Sequence, residues 1–133
     1  MSPHLTTLSV DAATVIEEVL ATGNAARFRA RGDSMHPSIR SNDLLEVERV
    51  DPVTIRRGDV VLARLSRGLT AHRVVRITPE GWFITRGDNA PGDDEPFTAG
   101  AIVGRVRARR MSPVWFAMRR AFRALRVTVS PRS

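Results

Sequence analysis

Three polar segments of this 133-residue chain contain residue types that could together form a nucleophilic site. They read RGDSMHP at 31–37, AHRVV at 71–75 and RGDNAPGDD at 86–94. Taken singly, a turn serine, a strand histidine and an acidic loop are ordinary features of a soluble domain. Together they could supply a hydroxyl nucleophile, an imidazole that takes its proton, and a carboxylate that holds the imidazole in one tautomer.

Two histidines lie in these segments and could act as the general base. His36 follows Ser34 by two residues, and such close neighbours cannot easily reach nucleophile–base geometry while both address a substrate. His72 lies on a predicted strand, and neutral imidazole, with an ordinary pKa of about 6.5, accepts a proton at neutral pH. His72 is therefore better placed than His36 to act on Ser34, although a lone strand histidine is more often an ordinary structural residue.

In this order, the segments resemble the signature boxes of type I signal peptidases. These boxes read Gly-x-Ser-Met-x-Pro, His-Arg-Val, and Gly-Asp-Asn with a further Asp behind it. The segments GDVV at 58–61 and IVGRV at 102–106 are similar to the family's Gly-Asp turn and its closing strand. The resemblance covers residues 28–106.

The superfamily, which includes LexA-type self-cleaving repressors, uses either lysine or histidine as the base. The histidine version occurs in the endoplasmic reticulum, in archaea and in some spore-forming bacteria. All 21 basic residues of this chain are arginine, so a Ser–Lys pair is excluded, and the absence of cysteine excludes a thiol nucleophile. The chain resembles the histidine version, and this resemblance implies Ser34 as the nucleophile and His72 as its general base.

The resemblance also implies the remaining parts of the site. It favours Asp94 as the acid that orients His72 and Asp88 as a supporting residue of the site loop, while Asp93 stays open as an alternative. It implies the Ser34 N–H as an oxyanion donor. A second donor found in some relatives is missing, because Gly32 occupies that position.

Substrate and cofactor expectations follow from the same comparison. The family cuts extended peptides after small residues, held along a strand edge, so the expected substrate is a peptide or precursor protein. The acidic loop lacks calcium-loop spacing and the chain has no histidine pair at i and i+4. We expect neither a metal nor a cofactor.

The sequence pattern around these residues predicts a mainly β protein. We expect a small, strongly bent all-β domain with a helix at each end, which would position the three segments. Residues 1–25 predict an amphipathic helix packed on the domain, with apolar residues at i, i+3, i+4, i+7 and i+8 from Ala12. Residues 26–110 predict the β catalytic domain. Its strands are expected near Phe28 and at 44–50, 60–65, 69–77, 82–85 and 101–106.

The basic charge is concentrated in the C-terminal segment, 111–133, which predicts a basic amphipathic helix and tail. From Arg105 to Ser133 there are nine arginines and no acid, against 12 arginines and 14 acids before that point. The helix Trp115–Arg126 could pack on the domain or lie on an anionic membrane surface. We do not expect a nucleic-acid partner, because no base-reading motif accompanies the charge.

The sequence has no signal peptide and no membrane span, so we expect a cytoplasmic protein, with peripheral attachment to the membrane as the alternative. The leading hypothesis is a serine endopeptidase of the signal-peptidase-like type that acts through an acyl-enzyme on Ser34. The alternative is a catalytically inactive module of the same fold, whose arginine-rich tail contacts nucleic acid or membrane. The sequence does not indicate an oligomeric state.

Overall fold

The computed structural model describes residues 7–8 and 10–110, with side chains for residues 13–107. The strands are Thr7–Leu8 (β1), Ala26–Arg29 (β2), Leu44–Glu48 (β3), Val60–Leu65 (β4), Gly68–Ile77 (β5), Phe83–Arg86 (β6) and Ile102–Arg110 (β7). One α-helix, Val10–Ala21 (α1), and two short 3-10 helices, Pro52–Thr54 and Ala99–Ala101, complete this part of the chain. The predicted C-terminal helix, at 111–133, lies outside the described residues.

The seven strands form one antiparallel sheet in the order β1-β5-β4-β7-β3-β2, and β6 pairs with β5. Register shifts interrupt the ladders at Glu46/Val47, at Leu62/Ala63 and at Val74/Arg76. Such irregularities bend a sheet and increase its local twist. The prediction of a small, mainly β domain preceded by a helix is confirmed.

Apolar side chains pack on both faces of this sheet. On β4, Leu62 belongs to one buried cluster, while its neighbours Val61 and Ala63 belong to another. Because successive side chains of a strand point to opposite faces, β4 has a core on each side. The middle of β4, Val61–Ala63, is therefore shielded from water on both faces.

The helix α1 covers the first of these clusters. Its residues Ala13, Ile16 and Leu20 are buried with Leu62 and Met35, at the i, i+3 and i+7 spacing of one helical face. The helix ends at Ala21, and Gly23 follows with a φ of 90°, the left-handed conformation common after a helix C-terminus. Within the described residues, no helix has the length and apolar character needed to cross a membrane.

Candidate active site

His72 lies in the middle of β5, the longest strand. Leu69 and Ala71 point into the cluster beneath α1, whereas Val74 belongs to the opposite cluster. Alternation along the strand therefore directs His72 to the Val74 face, where its side chain is only 3% exposed. The hydrogen-bonded ladder between β4 and β5, in which Val61 pairs with His72, fixes the backbone position of His72.

Ser34 occupies the turn that follows β2. Gly32 has a φ of 85°, which glycine adopts without strain, and it turns the chain from the strand toward the site. The turn is closed by bonds from the His36 N–H to the Asp33 carbonyl (3.1 Å) and from the Ile39 N–H to the Met35 carbonyl (2.9 Å). Met35 is fully buried in the core. The buried Met35 therefore anchors the turn beside Ser34.

The loop after β6 packs directly on this turn. The Asn89 N–H donates to the Ser34 carbonyl at 2.8 Å, and its side-chain amide donates to the Asp33 carbonyl at 3.2 Å. Gly87 lies so close that a Cβ there would be 2.5 Å from the Ser34 carbonyl oxygen and 3.0 Å from His72 Nε2. Only glycine leaves room for the serine and the histidine to approach each other at this position.

A continuous chain of hydrogen bonds joins Ser34, His72 and Asp94. Ser34 Oγ lies 3.0 Å from His72 Nε2, and His72 Nδ1 lies 2.6 Å from Asp94 Oδ2. Ser34 is 8% exposed and the Asp94 side chain 7%. Residues 38 and 22 positions apart in sequence thus meet in a largely buried site.

Asp94 is held in place by strand β6. Its N–H donates to the Thr85 carbonyl at 2.8 Å, and the Thr85 hydroxyl donates to Asp94 Oδ2 at 2.8 Å. Three residues further on, Phe97 pairs with Phe83 through both backbone groups, and their rings stack at 5.9 Å. The returning segment therefore runs beside β6 as a short extra ladder that delivers Asp94 to His72.

The surroundings of Asp94 determine which atoms carry protons in the hydrogen bonds from Ser34 to Asp94. Burial alone would raise the pKa of Asp94, but hydrogen bonds from His72 and Thr85, together with the charge of Arg67, outweigh it and lower the pKa. The carboxylate is thus ionised at neutral pH and can only accept hydrogen bonds. His72 Nδ1 must then donate to it. In the neutral ring Nε2 is left as an acceptor for the Ser34 hydroxyl.

Asp88 lies outside this chain of hydrogen bonds. Its carboxylate receives two bonds of 2.8 Å from Arg73, whose third donor reaches the Gly58 carbonyl at 2.8 Å. Burial would raise the pKa of Asp88, but the bonds from Arg73 and Ser38 lower it further than burial raises it. Asp88 connects the loop after β6 to β5, and its N–H also contacts Met35 Sδ at 3.3 Å.

The other two candidates from the sequence point elsewhere. The Asp93 carboxylate is half exposed and lies 3.6 Å from Arg86, not beside His72. The His36 ring is exposed, with Nε2 3.2 Å from Arg40 Nη1. Of the three acids considered, it is Asp94 that reaches Nδ1 of His72.

Three further residues have roles at the site that the sequence does not predict. Thr85 and Arg67 both donate to Asp94, and Gly87 provides the space described above. Gly87 lies in the Gly-Asp-Asn box, but the motif does not indicate why a glycine is needed there. No sequence signal distinguishes Arg67 from an ordinary solvated turn residue. Within residues 7–8 and 10–110, no group of three or more histidines and acids is arranged to hold a metal ion.

The fold and this constellation define a domain of the serine peptidase type. A family model described as peptidase S24-like matches residues 2–107, and the chain belongs to that family. This membership confirms the resemblance to the LexA and signal peptidase superfamily. No curated protein matches the chain.

Proposed function

We propose that this protein is a serine endopeptidase of the signal-peptidase-like type, which cleaves a peptide or precursor protein through an acyl-enzyme on Ser34. The observation that carries the proposal is the hydrogen-bond chain from Ser34 Oγ through His72 to Asp94, with distances of 3.0 and 2.6 Å. The distance of 3.0 Å between Ser34 Oγ and His72 Nε2 falls within the range in which a base takes a proton from a nucleophile.

In the first half of the reaction, Ser34 Oγ attacks the scissile carbonyl carbon while its proton passes to His72 Nε2. Asp94, on the other ring nitrogen, stabilises the imidazolium that forms. When the tetrahedral intermediate collapses, the proton on Nε2 passes to the leaving amine and the C–N bond breaks. The product of this half is an ester between the substrate's acyl group and Ser34.

In the second half, water enters the position that the amine has left. His72 Nε2 takes a proton from the water as it attacks the ester carbonyl, and then returns it to Ser34 Oγ as the ester breaks. The low exposure of all three side chains supports this role. Charges that develop in a largely buried site interact more strongly with their partners than charges in water do.

The test is cleavage of a synthetic peptide mixture, followed by mass spectrometry, with four proteins. These are the wild type and the variants Ser34→Ala, His72→Ala and His36→Ala. We expect the first two variants to lose at least about a thousandfold in kcat/KM. His36→Ala is the matched control, because it removes an exposed histidine from the serine turn, and it should retain the wild-type rate.

Two results would contradict the proposal. Equal cleavage by the wild type and Ser34→Ala would exclude Ser34 as the nucleophile. Failure of the wild type to cleave any peptide would favour the alternative, a catalytically inactive module that binds a partner through the same fold.

A further inference from the structure

The two-residue turn between β4 and β5 contacts the acid of the site from the side opposite His72. Arg67 Nη2 donates to Asp94 Oδ1 at 2.5 Å. The N–H and the hydroxyl of Ser66 donate to the Glu95 carboxylate at 2.9 and 2.8 Å. We propose that these four residues, the hairpin clamp, fix the Asp94 carboxylate against His72, with Arg67 as a positioning residue. This inference rests on the proposed function of the site.

The two oxygens of Asp94 have separate tasks. Oδ2 accepts from both His72 Nδ1 and Thr85 Oγ1, whereas Oδ1 has Arg67 as its partner among the described residues. Rotation about the Cβ–Cγ bond would move both oxygens, so every bond to the carboxylate opposes it. The bond at Oδ1 therefore adds to the two bonds at Oδ2 and helps to keep Oδ2 directed at His72. The Arg67 side chain is 46% exposed and the Asp94 side chain only 7%, so Arg67 reaches the buried carboxylate from the surface.

The hairpin makes Arg67 a rigid support. The β4–β5 ladder runs from Val60 opposite Arg73 to Leu65 opposite Gly68, so only two residues form the turn. The paired residues on either side of the turn hold its two ends together. Arg67 immediately precedes the strand that carries His72, and the β4–β5 ladder fixes the path between the two. Asp94 is thus held between His72 and Arg67 by one hairpin.

Glu95 fixes the backbone beside the acid. Its two carboxylate oxygens receive separate donors from Ser66, one from the main chain and one from the side chain. This pairing anchors the residue after Asp94 to the same turn that contacts its side chain. The backbone after Asp94 and the Asp94 carboxylate are therefore held by separate bonds to one turn. Accurate placement matters, because a displacement of about 1 Å at a catalytic group can cost a hundredfold in rate.

The activity test compares Arg67→Met with Arg64→Met on the best peptide from the mixture. Arg64 is a matched control, because it lies on the same hairpin and is 44% exposed, but it pairs at 2.6 Å with Glu17 of α1 and not with the site. We expect Arg67→Met to lower kcat by about tenfold with KM unchanged, and Arg64→Met to retain the wild-type kcat. Arg67→Lys, which keeps the charge, should recover part of the loss.

A double-variant cycle separates positioning through Asp94 from a general loss of structure. In an Asp94→Asn background, Arg67→Met should cause no further loss of kcat, because the group that it positions is already disabled. An additional tenfold loss in that background would overturn the inference, since Arg67 would then act by another route.

A second readout does not need a substrate. The short hydrogen bond from His72 Nδ1 to Asp94 should produce a strongly low-field proton resonance, which is identified by its absence in His72→Ala. We expect this resonance to shift or broaden in Arg67→Met and to stay unchanged in Arg64→Met. An unchanged resonance in Arg67→Met would refute the clamp.

These readouts separate the two proposals. If Ser34→Ala is inactive while Arg67→Met has the wild-type kcat and the wild-type resonance, the clamp alone is wrong. If Ser34→Ala cleaves as fast as the wild type, the proposed function is wrong, and the clamp is refuted with it as a catalytic device.

Discussion

Replacing Gly87 with alanine adds a methyl group at the point where the serine and the histidine meet. Its carbon would lie 2.5 Å from the Ser34 carbonyl oxygen, 3.0 Å from His72 Nε2 and 3.2 Å from Ser34 Cβ. Ordinary contacts of a Cβ begin at 3.4 Å, so the Ser34 backbone must move by most of an ångström. The backbone conformation of Gly87 is open to alanine, because its φ lies outside the positive range. The steric effect is thus isolated from backbone strain.

The expected result is a large loss of activity with a moderate loss of stability. A displacement of about 1 Å between nucleophile and base costs roughly a hundredfold in kcat. Overpacking a rigid site of this kind lowers the free energy of unfolding by about 1–3 kcal/mol. Peptide-cleavage kinetics and urea denaturation at pH 7 measure the two effects separately.

Gly92→Ala is the matched control for this change. Gly92 belongs to the same loop, and a Cβ there would have no atom within 4 Å. This variant should keep the wild-type kcat and be as stable as the wild type, or slightly more stable, because alanine restricts the unfolded chain. A Gly87→Ala protein that cleaves peptides at the wild-type rate would refute the steric reasoning.

Two further predictions concern the acids of the loop. Asp94→Asn should lower kcat by about 10⁴-fold, because a neutral amide neither holds the required tautomer of His72 nor stabilises its charged form; Asp93→Asn, the adjacent control, should leave kcat unchanged, and equal losses would contradict the geometry. Asp88 has a lowered pKa, so its pairing with Arg73 stabilises the fold above the unfolded pKa of about 3.9 and is lost as the pH falls through the lower folded value. Asp88→Asn should therefore cost about 1–2 kcal/mol of unfolding free energy at pH 7 and less at pH 3, below the unfolded pKa, as measured by urea denaturation. An equal cost at both pH values would show that the charge of Asp88 is irrelevant.

Local sequence patterns predicted the strands well where a turn marks each end. The strand expected at 60–65 is β4 itself, because the Gly58-Asp59 turn precedes it and apolar residues fill it. The pattern failed at the edges. The two residues of β1 are too few to show any periodicity, and β7 continues to Arg110, well beyond the predicted end at residue 106.

The site was predictable only to the extent that motifs carry long-range information. The three boxes predicted that Ser34 and His72 would meet an acid of the 88–94 loop, with Asp94 favoured by the resemblance, and the fold brings Ser34, His72 and Asp94 together. Their catalytic roles stay predictions. Nothing local selects Asp94 over Asp93, since that choice depends on how the segment after the loop pairs with β6.

The ion pairs that hold the loops of the site could not be predicted from the sequence for a different reason. Arg67 and Asp94 are 27 positions apart, and Arg73 and Asp88 are 15 apart. An arginine in a turn is typical of solvated surface, and its partner is decided by the three-dimensional course of two separate loops. Pairings of this kind depend on the tertiary fold, which residue spacing alone does not specify.

The most direct test of the central claim is the partition of the acyl group between water and an added nucleophile. With hydroxylamine present during peptide cleavage, an acyl-enzyme on Ser34 should yield the hydroxamate of the N-terminal fragment, at a ratio to free acid that does not depend on the leaving peptide. Neither product should form with Ser34→Ala. Cleavage that gives only the free acid at high hydroxylamine concentrations would mean that water attacks the peptide directly, and the covalent mechanism would be wrong.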